Sequence, residues 1–76
     1  MENEDKLLAF KIFCLESYKA VHKLTGKTAF DLFNKYQVFE YIESTYDVLH
    51  STGRLYIVSD IDEYIGSLNE LKKSVV

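Results

Sequence analysis

The chain has 76 residues and a mass of 8.9 kDa, which is the size of a single domain. It contains no proline and only three glycines, and 47% of its residues are hydrophobic, so we predict one mostly helical domain over residues 1–76. No apolar run exceeds four residues, which argues against a membrane-spanning segment, and the acidic residues that follow Met1 argue against a signal peptide. A cytoplasmic location is therefore expected. The formal net charge of −3 argues against a nucleic-acid backbone as the main partner.

The first predicted element is a helix over residues 3–24 that is apolar on two faces. One face carries residues at helical spacing: Leu7, Phe10, Cys14, Val21 and Leu24. A second row, formed by Leu8, Ile12 and Leu15, has the spacing i, i+4, i+7. This row has two explanations. Either the helix is central and the rest of the chain covers both faces, or the row is a docking surface for a second copy or another protein.

Two further helices are predicted to follow a turn at Thr25 and Gly26. Thr25 is expected to cap a helix over residues 26–36, and a third helix is expected over residues 38–51 with Gln37 at the junction. The inward stripe of the second helix has two alternatives: Phe30, Phe33 and Tyr36, or Ala29, Leu32 and Tyr36. The inward stripe of the third helix is Phe39, Ile42, Tyr46 and Leu49. Gly53 suits a left-handed cap after the third helix.

Residues 55–58 are the only stretch with strand character, because they are apolar, β-branched or aromatic. They are predicted to be extended, either as a connector bonded to water and side chains or as a strand paired with another chain. Ser59 is predicted to cap a fourth helix, inside which Gly66 would be explained by close approach of another helix. The predicted fold is therefore all-α: a compact four-helix domain with a short extended segment at 55–58.

Candidate catalytic residues do not combine into a site. Cys14 and His22 share a helical face but lie two turns apart, about 12 Å along the axis, so Cys14 is expected to be a buried core residue without a base. Asp47 and His50 are spaced to contact each other, although a solvated histidine at a helix end is the simpler interpretation. The sequence lacks a calcium-loop pattern and a phosphate-binding glycine loop. We therefore expect no enzymatic activity, metal site or cofactor.

The negative charge is concentrated in residues 38–65, which carry six acidic side chains against one basic side chain, Arg54. The acidic residues are Glu40, Glu43, Asp47, Asp60, Asp62 and Glu63. A helix-turn-helix in this region would present a recognition helix without lysine or arginine, so DNA binding is not expected. The local charge instead favours a partner with a basic surface. For Arg54 we predict a salt bridge to Asp60 or Asp62.

The run YDVLHSTG at residues 46–53, followed by YIVSDIDEYI at 56–65, resembles the signature of a family of short bacterial proteins of unknown function. Residues 13–19 and 25–36 resemble the first half of the same family. The resemblance implies a small helical cytoplasmic protein, often encoded beside uncharacterised proteins that include ones similar to ADP-ribosyltransferases. It also implies an accessory or neutralising partner. Family members often have glycine after the tyrosine that corresponds to Tyr36. Gln37 at that position favours a more continuous helix.

These observations predict a small protein-interaction module without catalytic activity of its own. The partner is expected to be another protein with a basic surface or a second copy of the chain, and neither nucleic acid nor a membrane is expected to bind. The predicted partner-binding residues are Leu8, Ile12, Leu15, Glu40, Glu43, Asp47, His50, Arg54 and Tyr56. One alternative is a homodimeric structural domain whose interface completes the core. Another is a small enzyme or ligand-binding protein that uses Asp47, His50 and the aromatic residues.

Overall fold

The computed structural model describes the backbone of residues 2–75 and the side chains of residues 5–69, and all the regular structure in this part of the chain is helical. The five helices are α1 Glu2–His22, α2 Gly26–Lys35, α3 Val38–Ser44, α4 Tyr46–Leu49 and α5 Arg54–Val75. The predicted all-α fold is confirmed. The predicted third helix is present as two shorter helices, so the count of four was too low.

The two long helices, α1 and α5, pack side by side and run in the same direction. Arg54 at the start of α5 lies over Phe13, whereas Asp62, two turns later, contacts Tyr18 and His22. Helices α2 and α3 pack on α1 and on each other. The core between these helices is a single cluster: Cys14, Tyr18, Phe33, Val38, Ile42, Leu49, Ile57, Val58, Ile61 and Ile65. Every helix contributes to it.

The predicted extended segment at 55–58 is wrong, because these residues form the first turn of α5. Gly53 O accepts the first helical hydrogen bond from Ile57 N at 3.0 Å, and the helix begins at Arg54, five residues before the predicted cap at Ser59. Burial explains the outcome: Ile57 and Val58 are both buried and continue the stripe of Ile61 along one helix face. Gly53 precedes this helix and does not have the predicted left-handed conformation.

Two non-glycine residues with left-handed backbone end helices α1 and α2. Lys23 (φ 55°) follows α1, where Leu24 N donates to Lys19 O in the pattern of a Schellman cap. Gln37 (φ 56°, ψ 42°) separates α2 from α3, so the more continuous helix expected from glutamine at this position is wrong. The turn at Gln37 allows Val38 to enter the core. Thr25 caps α2 as predicted, since its Oγ1 accepts from Thr28 N at 3.1 Å.

Thr45 interrupts the predicted third helix. Its backbone (φ −109°, ψ 12°) departs from helical values, and its Oγ1 donates to Tyr41 O at 2.8 Å. A threonine that bonds back to the preceding turn commonly bends a helix.

Further along the chain, Gly66 is exposed, and a Cβ built on it meets no heavy atom within 4 Å. The close helix approach suggested for Gly66 is therefore not found within this chain.

Candidate functional site

The apolar row on α1 is the first component of the candidate site. Leu8 and Ile12 are 59% and 53% exposed, and Leu15 is half-buried against the core. The explanation that the rest of the chain covers this face is wrong for Leu8 and Ile12. The face of α1 that packs on the core instead contains Cys14 and Tyr18. Leu8 and Ile12 lie on another face of the helix and are exposed to solvent.

Aromatic side chains from α2 and α3 face this row and complete an apolar groove. We define the apolar groove by the residues that line it: Leu8, Lys11, Ile12, Leu15, Phe30 and Phe39. The Phe30 and Phe39 rings lie 5.9 Å apart, and Phe39 also packs edge-on against buried Phe33 at 5.2 Å. Phe30 is 49% exposed. The groove thus has two helical walls, and Phe39 anchors one of them to the core.

Carboxylates on α3 and α4 form an acidic ridge beside the groove, which we define as Glu40, Glu43 and Asp47. All three are exposed; Glu40 and Glu43 lie one turn apart on α3, and Asp47 follows on α4. Lys11 in the groove holds Glu43 through a 3.0 Å ion pair, which fixes the ridge next to the α1 wall. Glu43 and Asp47 also line a shallow depression that includes Lys6. Two of the three carboxylates, Glu43 and Asp47, therefore lie near a lysine.

The other predicted acidic residues separate onto two sides of α5. Asp60 accepts a hydrogen bond from Tyr41, whose ring stacks on Tyr64 with centroids 4.1 Å apart. Burial, with Asp60 and Glu63 nearby, raises the pKa of Tyr41. Asp62 faces α1 instead, where it pairs with Tyr18 and His22. Asp60 and Glu63 thus lie beside Tyr41 of α3, whereas Asp62 lies on the side of α5 that faces α1.

Arg54 does not form the predicted salt bridge to Asp60 or Asp62 among the described residues. Because α5 begins at Arg54, these carboxylates lie about 9 Å and 12 Å further along the helix axis. The guanidinium group lies over the ring of Phe13 instead, 6.0 Å from its centroid. Arg54 and Tyr56 are exposed at the start of α5 and do not line the apolar groove.

His50 contacts Tyr46 rather than Asp47. Its Nδ1 is 2.8 Å from Tyr46 O, and its ring stacks on the Tyr46 ring with centroids 4.8 Å apart. This intramolecular role matches the interpretation of His50 as a helix-end residue and does not orient it toward a nucleophile. Asp47 remains on the acidic ridge with its side chain exposed.

Cys14 is buried, as predicted from its place on the apolar face of α1. Burial raises the pKa of its thiol to about 12, so the thiol stays protonated near neutral pH.

Among the described side chains, no group of three or more His, Cys, Asp or Glu residues is arranged to hold a metal ion. Within the described residues no helix has the length and hydropathy required to span a membrane.

Residues 9–67 match a family described as "Protein of unknown function (DUF3791)". The chain belongs to this family. The match includes Ile12, Leu15, Phe30 and Phe39 of the groove and the whole acidic ridge. Comparison with curated proteins and comparison with solved structures gave no match. The family description assigns no activity.

Sequence patterns predicted one wall of the groove and missed the other. The α1 row was visible from its spacing. Phe30 and Phe39 were assigned to inward stripes, and Phe39 does pack against the core, whereas Phe30 is 49% exposed. In the structure the inward residues of α2 are Ala29 and Phe33. The sequence did contain a signal for the second wall. The α2 segment has more large apolar residues than one buried stripe can hold, so some of them had to remain exposed.

Proposed function

We propose that this chain is a non-catalytic protein-interaction module that receives an apolar segment of a different protein in its apolar groove. The observation that carries the proposal is the joint exposure of Leu8, Ile12 and Phe30 on one face of a chain whose core is already filled. Contiguous exposed apolar surface of this kind is typical of protein-binding sites. The helical walls also require little reorganisation on binding.

The size of the groove sets the strength of the expected binding. Full burial of a leucine, isoleucine or phenylalanine side chain contributes about 1.5–3 kcal/mol. Since these three side chains are already about half covered, closing the groove would contribute roughly 3 kcal/mol. A dissociation constant of about 1 mM already requires about 4 kcal/mol. The groove alone therefore supports only weak binding, and contacts around it must supply the rest.

The remaining candidate groups support a binding role over a catalytic one. The Cys14 thiol is buried and protonated. His22 is engaged by Asp62, and His50 is engaged by the Tyr46 carbonyl. None of these groups lines the apolar groove.

The negative charge of the chain favours a different protein as the partner over a second copy of the chain. Two copies each carry a net charge of −3, and each presents the same acidic ridge beside its groove. Like charges at an interface oppose association. We therefore expect the purified chain to be monomeric in light scattering over a wide concentration range. A dimer that dissociates in an Ile12→Glu variant would overturn this proposal in favour of the homodimeric alternative.

Affinity capture from the host with matched variants tests the proposal. The bait is compared with Ile12→Glu in the groove and with Leu55→Glu, a control at a position that is 75% exposed outside the groove. We expect a protein that is retained by the parent chain and by Leu55→Glu but lost with Ile12→Glu. Circular dichroism checks that both variants remain folded. Identical captured proteins for all three baits would contradict the proposal.

A further inference from the structure

We infer that the segment bound in the apolar groove is a basic amphipathic helix, whose apolar row enters the groove and whose lysine or arginine residues lie over the acidic ridge. This inference rests on the proposed function and adds the chemistry of the partner. Two independent features carry it. One is that helices form both walls of the groove. The other is that some charged residues around the groove form ion pairs and others do not.

The groove favours a helical occupant over an extended one. An extended peptide needs partners for its backbone N–H and C=O groups, which sheet edges normally supply. The described residues contain no strand, and the groove walls present side chains that are almost entirely apolar. A helix satisfies its own backbone hydrogen bonds and presents only side chains. It is therefore the form of peptide that this groove can bury without unpaired polar groups.

The length of the groove defines the pattern that the occupant must present. From Leu8 to Leu15 the α1 wall spans about 10 Å, which is two helical turns. A helix packed beside this wall contacts it through residues at i, i+3 or i+4, and i+7. The occupant thus acts as an additional helix of the domain, lying between α1 and the aromatic side chains Phe30 and Phe39.

The charges around the groove select for a basic flank. Next to Leu15, Glu16 is paired with Lys19 at 3.1 Å, and next to Phe30, Lys27 is paired with Asp31 at 2.8 Å. These edges are therefore locally neutral. On the acidic ridge, Glu43 is paired with Lys11, whereas Glu40 and Asp47 have no ion pair among the described residues; Lys6 lines the same depression as Asp47 without pairing with it.

A helix with lysine or arginine on the flank that faces this ridge complements the uncompensated carboxylates. A helix with aspartate or glutamate there is repelled. Because exposed charge pairs are screened by salt, the preference for basic peptides must weaken at high ionic strength.

A selection with displayed helical peptides tests the inference. The probe is a library in which the apolar row and both flanks are randomised. It is selected on the full chain and counter-selected on Ile12→Glu. We expect enriched peptides with an apolar row at i, i+3 or i+4, i+7 and an excess of lysine and arginine on one flank. An apolar row without charge bias would overturn this inference and leave the proposed function intact. Failure to enrich any apolar row would contradict both.

Charge reversal on the ridge provides the matched measurement. Fluorescence anisotropy of a selected peptide is compared for the parent chain, for Glu40→Lys combined with Asp47→Lys, and for Glu63→Lys. Glu63 is the control because it is exposed on α5 beside Tyr64, outside the groove. We expect the double variant to weaken binding at least tenfold at low salt, an effect that shrinks at high salt, and the control to change it by less than about twofold. Equal weakening by both variants would overturn the assignment of the ridge.

Discussion

The hydroxyl of Tyr18 donates a 2.9 Å hydrogen bond to Oδ1 of Asp62, and this contact joins α1 to α5 across 44 positions of sequence. The second carboxylate oxygen of Asp62 lies 2.9 Å from Nε2 of His22, one turn further along α1. Burial and the neighbouring Asp62 raise the pKa of Tyr18, so its hydroxyl remains a donor. These contacts hold the end of α1 against α5, on the same side of α1 as the buried Cys14 and Tyr18.

Removing the carboxylate of Asp62 is expected to destabilise the fold. Asp62→Ala leaves the hydroxyl of Tyr18 without its acceptor, and because Tyr18 is buried, the cost should be about 1–3 kcal/mol of unfolding free energy. Urea denaturation measures it. Glu63→Ala, at the next and exposed position, is the control and should change the free energy of unfolding by less than about 0.5 kcal/mol. Equal losses in both variants would show that the Tyr18–Asp62 bond does not support the fold.

Much of the helical framework could be predicted from local patterns. The length of α1 follows from its periodicity, and the start of α2 follows from the cap at Thr25. The start of α5 could not be predicted, because the strand propensity of Ile57 and Val58 is outweighed by their burial against the other helices. That burial is a tertiary effect, which neither spacing nor propensity in a single segment reveals.

Gln37 offers a second test, because its left-handed backbone is costly for any residue with a Cβ. Gln37→Gly removes this cost, so we expect the free energy of unfolding to rise by about 1 kcal/mol, measured by urea denaturation. As a control, Ala9→Gly at an exposed position in the interior of α1 should lower it by about 1 kcal/mol, because glycine disfavours a helix interior. A loss of stability in Gln37→Gly would contradict the left-handed turn between α2 and α3.

Gly66 lies in the interior of α5 with open space around it, so alanine is expected to stabilise the chain there. Gly66→Ala should raise the free energy of unfolding by about 0.5–1 kcal/mol, because alanine loses less backbone entropy on forming a helix. Gly26→Ala is a comparison at the first position of α2, where space is also open, and its effect should be smaller. If Gly66→Ala is instead destabilising, another chain must pack closely on this face of α5 in solution.

In the candidate site, too, local patterns could be predicted from the sequence, whereas the tertiary arrangement could not. Leu8, Ile12 and Leu15 were predicted as an exposed row or a covered one, and only the arrangement of α1 against α5 decides between these alternatives. The acidic character of residues 40–63 was evident from composition. Its separation into the acidic ridge and the pairing of Asp62 with Tyr18 and His22 depends on which side of α5 faces α1, which a charge count does not contain.

The buried thiol of Cys14 gives the chain a specific sensitivity to alkaline pH. Its pKa is raised from 9.0 in the unfolded chain to about 12 in the fold, so between these values the unfolded state releases a proton that the folded state retains. Stability from this residue is fully present below pH 9 and falls as pH rises toward 12, by at most about 1.4 kcal/mol per pH unit. Cys14→Ala removes the contribution of the thiol and leaves the titrating tyrosines in place. The difference in unfolding free energy between the parent chain and Cys14→Ala should therefore narrow as pH rises above 9. Urea denaturation at several pH values measures it, and a constant difference over that range would show that the thiol is accessible in the folded chain.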